Sequence, residues 1–482
     1  MAQSIFFRVQ DNHAKADATF DHTLIPPTLG AVLPSYASDA AFVAAKGSPA
    51  TEGDRYWNTT IKKEREYTTA WRDIVYRVID ANETYNVPSD TATIAVALGK
   101  FEKKLLVANG KISVAAGTYS GPHTLKDILT SDSGFLTIEG DTRDIVGFGF
   151  VHGSNPTLTP ANGGSGVITL SNVGNDITVA RATTNPDFDA AGIVSGDTVW
   201  IAGDNGITGV YTVSSALNNV ITLTGAAPTI GGNGSVIVVI PNRRLDNLVA
   251  FKSFNGKVLL RGFDLGVLYF GELNASVAEL PGLVSSGTLF LRNCVSGSKV
   301  VNRGGGTIIC GGADGSMVSA CTFSGGNQGV ETRNDGIINM AGVTFMGQAN
   351  LEVNGGSKVY IENSFFGKYC GTRVAYGGIL RIYNCEFREV VSALYCYYGV
   401  KIFADSTKIK NSAPPMFTGV NANYGGEIAM QSCVVENCNL AVIAQSGGRI
   451  SAVSTVLSGN TQNYSPSTSG ALGNNGALIA VN

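Results

Sequence analysis

The sequence predicts an all-β protein built as a right-handed parallel β-helix. Three observations lead to this fold: a long repeat, an alternation inside each repeat, and an abundance of glycine. In roughly the last two hundred residues, a short marker recurs at intervals of 21 to 27 residues: a small residue, any residue, then a large apolar one. A fixed period of this length is typical of stacked supersecondary units. The markers begin at Cys294, Cys321, Val343, Ser364, Cys385, Thr407, Cys433 and Thr455.

Each marker predicts one rung of the β-helix. The positions five and three residues before it are apolar, as in Leu380 and Ile382, and their neighbours are mostly polar or aromatic. A period of two indicates a strand. A small polar residue such as Asn384 then suits a tight bend, and a glycine usually lies seven or eight residues before the marker. A β-sandwich also has short alternating strands, but it would not keep one register over eight rungs.

Composition agrees with a chain rich in turns and stacked strands. The protein has 482 residues, 60 glycines and only 15% charged residues. Its net charge of −3 shows no nucleic-acid footprint. No run of eighteen apolar residues is present, and the first residues lack the charged-then-apolar layout of a signal peptide. We therefore expect no nucleic-acid partner and no membrane insertion.

The cysteines are predicted as core residues. All eight lie between Cys294 and Cys438, and four of them occupy one inward column, where Cys acts as a small buried hydrophobe. Cys294 and Cys321 could be near enough to form a disulfide, but the absence of a secretion signal favours free thiols. No CxxC pair is present, and the four histidines all precede the repeats. We predict no metal site and no other cofactor.

Residues 1–86 differ from the rest and are predicted as an N-terminal module. They contain Trp57 and Trp71, and residues 39–71 predict a short helix followed by a small aromatic hairpin. The segment GDRYWNTT at residues 53–60, with a tyrosine and a tryptophan further on, resembles N-terminal modules of bacteriophage tail fibres and spikes. This resemblance implies attachment to other virion proteins or assembly of the fibre. The alternative is a small folded cap without a partner.

Residues 87–149 are predicted to contain a capping helix and the first rungs. Ser89 and Asp90 suit an N-cap, and apolar residues follow at helical spacing, which predicts a helix over 90–106. This helix, then IxVxxGxY at 112–119 and LxIxG at 136–140, resembles the entry to pectate-lyase-like β-helices, including phage tailspikes. The resemblance implies a helix that plugs the end of the solenoid and shields its edge strand. A partner-binding or membrane-surface helix is the alternative.

Residues 150–245 interrupt the repeat. Short stretches of strand composition are joined there by Asn, Gly and Asp turns, which predicts a small antiparallel β-barrel inserted after the first rung. Sugar binding and a spacer or interface role are both open for this insert. The main β-helix is predicted over residues 246–482.

A solenoid core is inert, so function is expected on the outward columns. Glu362 and Asp405 lie two rungs apart, roughly 9–10 Å at the usual strand spacing, with Tyr383 between them. Inverting glycosidases hold their acid and base about 6.5–9.5 Å apart. Glu362 and Asp405 are therefore the candidate catalytic residues, and Arg381, Tyr383 and Tyr360 are candidate substrate-binding residues. The alternative is a solvated sheet face with alternating charges.

A second group of candidate substrate-binding residues follows the markers. Glu331, Glu352 and Arg373 are predicted on neighbouring rungs. Beside them we expect an aromatic platform of Tyr376, Tyr395, Tyr397 and Tyr398. A trimer interface is an equal alternative, since tyrosine and arginine are also enriched at interfaces. No GxSxG, HExxH, P-loop or calcium-loop motif with supporting context points to another chemistry.

The resemblance to phage tailspikes implies a function as well as a fold. It implies a homotrimer that is part of a virion assembled in the host cytoplasm. The homotrimer is expected to bind host surface polysaccharide, and whether it also cleaves the polysaccharide as a hydrolase or lyase is left open. The sequence ends soon after a last partial rung, without the separate C-terminal trimerisation domain of many spikes. That favours the alternative of a purely structural virion component, such as a fibre adaptor or capsid decoration. A cellular polysaccharide lyase or adhesin is a third hypothesis.

Overall fold

The computed structural model confirms the predicted parallel β-helix. Successive rungs pair in parallel and in register, as Lys358–Glu362 does with Ile379–Tyr383. The structure describes residues 35–36, 38–46, 49, 55–58, 63–67, 71–74, 77–125, 128–131, 133–143, 148–150, 168–173, 176–181, 189, 192–203, 208–218, 220–224, 235–246, 248–250, 256–271, 287–296, 300–303, 306–311, 321–323, 329–346, 350–367, 370–388, 390–411, 418–465 and 478–481.

Three long sheets form the sides of the β-helix. Sheet A has thirteen strands: Glu83–Val87, Gly110–Val114, Leu136–Glu139, Lys257–Arg261, Thr288–Arg292, Thr307–Gly311, Ile337–Ala341, Lys358–Glu362, Ile379–Tyr383, Lys401–Asp405, Glu427–Gln431, Arg449–Val453 and Leu478–Val481. Sheet B has eleven: Gly117–Tyr119, Arg243–Leu245, Asp264–Leu265, Val295–Ser296, Cys321–Phe323, Val343–Phe345, Phe365–Phe366, Glu386–Arg388, Lys408–Lys410, Val434–Glu436 and Val456–Ser458. Sheet C has eleven: His123–Leu125, Leu248–Ala250, Leu268–Gly271, Val300–Arg303, Val330–Arg333, Asn350–Val353, Gly371–Val374, Ser392–Cys396, Thr418–Ala422, Leu440–Ala444 and Gln462–Ser465.

The bend between sheets A and B depends on a left-handed residue. Asn384 has φ 47° there, and its side chain donates a hydrogen bond to the Asn363 Oδ1 of the preceding rung at 2.8 Å. Asn and Ser tolerate this conformation because their short polar side chains can bond locally. The same bend recurs with positive φ at Asn293, Asn363, Ser406, Ser432 and Ser454. The small polar residues that the sequence places before each marker therefore turn the chain.

The core consists of stacked columns of like residues. Phe323, Phe345, Phe366 and Phe387 are buried and stack from rung to rung, with centroids 5.3, 4.4 and 4.2 Å apart. The large apolar residue of these four markers therefore points into the core. All eight cysteines are buried free thiols, and burial raises the pKa of the Cys385 thiol to about 12. A thiol with so high a pKa stays neutral and packs as a core residue.

The described part of the N-terminal module contains one helix and a small sheet. Helix α1 spans Asp39–Lys46. Three strands follow it, and each pairs antiparallel with the next along the chain: Arg55–Asn58, Lys63–Tyr67 and Trp71–Ile74. Ser35–Tyr36 pairs parallel with the first of these strands. The predicted helix followed by a hairpin is confirmed.

Helix α2 at the end of the solenoid is shorter than predicted. It spans Ile94–Gly99, and Thr93 caps it by accepting a hydrogen bond from a backbone N–H. The predicted span 90–106 was wrong, because Lys103 adopts φ 56° and Lys104–Leu106 forms a strand instead. That strand lies between Arg77–Ile79 and Ile128–Thr130 in a three-stranded parallel sheet. The apolar residues that suggested more helical turns are therefore buried by strand pairing.

The core at this end closes over α2. Ile94, Leu98 and Phe101 are fully buried or nearly so and join the main hydrophobic core. The first strand of sheet A is Glu83–Val87, so the predicted domain boundary at 86/87 falls inside a β-helix strand. Within the described residues, neither α1 nor α2 has the length and apolar character needed to cross a membrane.

The insert is an antiparallel sheet, as predicted. Its seven strands are Phe148–Phe150, Ile168–Val173, Asp176–Arg181, Thr198–Gly203, Thr208–Leu217, Val220–Thr224 and Ser235–Ile240. The outer strands of this sheet, Phe148–Phe150 and Ile168–Val173, do not pair with each other in the described residues. Among the described strands, the sheet is open at this seam and does not close into a barrel.

A charged network joins the insert to the β-helix. Arg143 bonds Asp141 at 2.7 Å, at the end of a sheet A strand, and Asp197 of the insert at 2.9 Å. Arg243 adds a second contact to Asp141 at 3.4 Å. Burial alone would raise the pKa of Asp141, but the hydrogen bonds from Arg143 hold it below its ordinary value. The carboxylate therefore stays charged, which fixes the insert at its root.

Candidate functional site

A cleft of about 690 Å³ lies on the outer face of sheet A. Its side chains come from the strands between Ile337–Ala341 and Arg449–Val453. Outward residues of neighbouring strands stand one strand spacing apart, about 4.8 Å, so a single column of the repeat forms each wall. A volume of this size is within the range of pockets for small ligands.

One wall contains the two candidate catalytic carboxylates. The register aligns Glu362 with Tyr383 and Tyr383 with Asp405, so the two acids lie two strand spacings apart, as predicted. Glu362 is exposed and Asp405 is half-buried. The Ser406 hydroxyl donates to Asp405 Oδ1 at 2.9 Å, which fixes this carboxylate more firmly than the other. Tyr383 is 52% exposed between them, so its ring and hydroxyl are open to a ligand.

The other wall is a sandwich of an arginine between two aromatic rings. The guanidinium carbon of Arg381 lies 5.6 Å from the Tyr360 ring centroid and 5.7 Å from that of Phe403, on the rungs before and after it. Arginine prefers to stack on aromatic faces, and its in-plane N–H groups remain free to donate. The stack therefore holds five hydrogen-bond donors at a fixed place on the cleft wall.

The guanidinium of Arg381 has no ion-pair partner among the described residues. Arginines on the other faces differ: Arg373 pairs with Glu352 at 3.9 Å, and Arg388 pairs with Glu386. Glu386 is buried on sheet B and does not reach the cleft, although the sequence places it just across the bend. The donors of Arg381 are thus available for a ligand.

The second group of predicted site residues is mostly buried. Glu331, Glu352, Arg373 and Tyr395 align on adjacent strands of sheet C, as predicted. Glu331 is 0% exposed and pairs with Arg333, and Glu352 is 7% exposed. A ligand on the surface therefore reaches Arg373, whose side chain is 53% exposed, but does not reach Glu331. The repeat places a residue on an outward column but does not reveal what covers it.

The tyrosines of the predicted platform come together beside this group. Tyr397 contacts Tyr395, Tyr376 and Tyr398, with ring centroids 5.3, 6.1 and 4.8 Å apart. Tyr424 also joins, stacked on Tyr398 at 5.4 Å, although the sequence interpretation omitted it. The signal was present: Tyr-Gly recurs at 376, 398 and 424, close to the rung period.

No metal site accompanies these surfaces in the described part of the chain. There, no group of three or more His, Cys, Asp or Glu side chains is arranged to hold an ion. The side chains of the cleft itself offer carboxylates, a guanidinium, hydroxyls and aromatic rings.

No protein-family model matches the sequence, and no curated protein matches it. Solved structures similar to this chain include the Gp54 tailspike of Acinetobacter baumannii bacteriophage AP22, in complex with A. baumannii capsular saccharide. It is 12% identical, with 76% of this chain and 75% of that chain covered and a TM-score of 0.18. XylC in complex with xylose is 9% identical, with 78% and 70% covered and a TM-score of 0.25. With TM-scores this low, the assignment of a parallel β-helix rests on the strand pairing described above.

Proposed function

We propose that this protein is a bacteriophage virion spike that binds host surface polysaccharide in the cleft of sheet A. The observation that carries the proposal is Arg381, held between Tyr360 and Phe403 and without an ion-pair partner among the described residues. An exposed cation–π contact contributes only about 0.5–1 kcal/mol to folding, whereas donors held in one place suit a ligand rich in hydroxyls. The sequence resemblances at residues 53–60 and 112–140 support the virion part of the proposal.

The cleft suits a sugar chain in three respects. Its aromatic rings, Tyr360, Tyr383 and Phe403, are each between 39% and 52% exposed and offer flat faces for the apolar side of a sugar ring. The guanidinium of Arg381 donates to hydroxyl or carboxylate oxygens. Glu362 and Asp405 accept from hydroxyls. Since these groups repeat along the solenoid, a polymer that lies along the axis contacts several of them at once.

Hydrolysis of the bound polysaccharide is a second activity that the same cleft supports. Glu362 and Asp405 lie in one column two strand spacings apart with Tyr383 between them, close to the separation of about 6.5–9.5 Å at which inverting glycosidases hold their acid and base. In this proposal one carboxyl protonates the leaving oxygen and the other activates the water. Arg381 and Tyr383 position the sugar ring.

Binding is tested by exposing the protein to purified surface polysaccharides from candidate host bacteria. We expect one host to bind, and Arg381→Ala to weaken that binding by about tenfold to a hundredfold, because hydrogen bonds to a charged group contribute about 1.5–3 kcal/mol. Arg449→Ala is the matched control, since Arg449 is exposed on the same sheet but lies outside the cleft. If the parent protein binds none of the polysaccharides but is incorporated normally into virions, the result would favour the hypothesis of a purely structural virion component.

We further propose that the spike acts as a homotrimer attached to other virion proteins through residues 1–86. Exposed aromatic side chains and only 15% charged residues support an assembly rather than a free monomer. Light scattering at micromolar concentration is expected to give three times the chain mass of 50.2 kDa. The mass of a single chain would count strongly against this assembly.

A further inference from the structure

Three tyrosines occupy the same turn between sheets C and A on consecutive rungs, and they form what we call the tyrosine ladder. Tyr376, Tyr398 and Tyr424 have φ of 51, 60 and 46°, in the left-handed region. The three side chains are 62%, 48% and 54% exposed. A bulky residue with positive φ is a conformational outlier, and three in succession are not expected by chance.

The neighbouring rungs use residues that suit this turn better. The equivalent position is Gly355 on the rung before the ladder and Ser446 on the rung after it, both with positive φ. Glycine takes the left-handed conformation without cost, and serine is small. The turn therefore does not require tyrosine. Strain that persists at exposed aromatic side chains points to a role outside folding.

The rings of the ladder are stacked on one another and exposed. Its rings are nearly parallel, with centroids 5.0 Å apart for Tyr376 and Tyr398 and 5.4 Å apart for Tyr398 and Tyr424. Rings in contact are separated by about 3.5–4.0 Å, so these centroid distances place the rings offset like steps, with part of each face exposed. Tyr397 lies beneath them, 7% exposed, with the Arg373 guanidinium 5.0 Å from its ring centroid. The support is thus fixed in advance of any ligand.

The ladder lies on the same rungs as the cleft, at the turn that leads into the strands lining it. Tyr376 and Tyr398 each lie three residues before the strands Ile379–Tyr383 and Lys401–Asp405, which provide Arg381, Tyr383 and Asp405 to the cleft. We propose that the tyrosine ladder is a second contact surface for the same polysaccharide, which reaches it by leaving the cleft along the strands of sheet A. This inference rests on the proposed binding function. The ladder itself has no charged side chain, so the part of the polymer it holds is recognised by ring faces and hydroxyl groups.

The test uses the full-length protein, the host polysaccharide retained in the binding experiment, and an oligosaccharide of one or two repeat units prepared from it. The test variant combines Tyr376→Asn, Tyr398→Asn and Tyr424→Asn, because Asn is found with positive φ at the equivalent Asn334. We expect polymer binding to weaken by at least about tenfold, the sum of three modest aromatic contacts. The Kd of the short oligosaccharide is expected to stay the same, and the midpoint of thermal unfolding to stay the same or rise.

Ser446→Asn, at the same turn position one rung further on, is the matched control and is expected to bind both ligands as the parent does. Unchanged polymer binding by the folded triple variant would overturn the inference while the proposed function stands. An equal loss of polymer and oligosaccharide would also overturn it, and conversion of trimers to single chains would show that the ladder covers a neighbouring copy instead. Failure of the parent to bind any polysaccharide would remove the proposed function and this inference with it.

Discussion

On a polysaccharide that the protein shortens, Glu362→Gln and Asp405→Asn are each expected to lower turnover by at least about a hundredfold. General acid–base catalysis is usually worth 10²–10⁴-fold, and both substitutions remove a titrating carboxyl while they keep the shape of the side chain. Folding should not change, because Glu362 is exposed and the Asp405 side chain, within the described residues, accepts its hydrogen bond from the Ser406 hydroxyl, which an Asn oxygen can also accept. The rate of appearance of new reducing ends measures the effect.

Glu427→Gln is the control for this pair. Glu427 is an acid on the same outer face, but it pairs with Lys401 at 3.1 Å and lies outside the cleft, so its loss should leave turnover unchanged. Both catalytic variants should still bind the polysaccharide, since Tyr360, Phe403 and Arg381 remain. Full activity in both variants would reject the assignment. Absence of cleavage by the parent protein on the polysaccharide it binds would reject hydrolysis and leave binding.

The fold was predictable because every rung has the same structural requirements, and the repeat shows them in the sequence at a fixed interval. A residue such as Asn384 or Ser406 must take a left-handed bend, Phe366 must stack on its neighbours, and these requirements recur at a fixed interval. Recurrence turns a weak local preference into a strong signal, since chance does not place the same residue type at one position in rung after rung. The antiparallel strands of the insert were equally predictable from the alternation of apolar and polar residues. Alternation does not show which strands pair, so it could not predict that the two outer strands leave the sheet open.

Two sequence-based predictions were wrong, one because a strand formed where a helix was expected and one because a side chain is buried where it was expected to be exposed. Phe101 and Leu105 continue the helical pattern of α2, yet the chain leaves the helix and Lys104–Leu106 pairs with two other strands instead. Glu331 was predicted on a surface because it lies on an outward column, but in the structure it is 0% exposed. Periodicity gives the direction of a side chain from the sheet. It does not give the cover above it.

The candidate site was predictable in position but not in its electrostatics. The register alone places Glu362, Tyr383 and Asp405 in one column and Arg381 in the next. Arg381 stacks between two rings and has no carboxylate partner in the part of the chain that the structure describes, whereas Arg373 and Arg388 are paired; this difference emerges only from side-chain packing. The same holds for the tyrosine ladder, where Tyr-Gly is visible in the sequence but the left-handed strain is not.

Phe366→Ala is expected to produce the largest loss of stability of any single change in the core. Phe366 is fully buried between Phe345 and Phe387, with centroids 4.4 and 4.2 Å away and rings within 3° and 9° of parallel. Truncation of a buried Phe costs about 3–5 kcal/mol, through lost burial and the cavity left behind. Here both stacking partners lose a contact as well, so the upper part of that range is expected.

The consequence should reach beyond one rung, because a solenoid is stabilised by contacts between neighbouring units and a weak interface lowers the cooperativity of the whole. Denaturant unfolding, followed by far-UV circular dichroism, should show a lower midpoint, and a second transition if the two halves separate. Phe403→Ala is the matched control, since Phe403 has the same side chain but is 40% exposed on the cleft wall. That variant should unfold close to the parent, as surface substitutions usually do, while it binds polysaccharide more weakly. Equal midpoints for the two variants would contradict the inward phenylalanine column as a source of stability, because only one of the two rings is removed from the core.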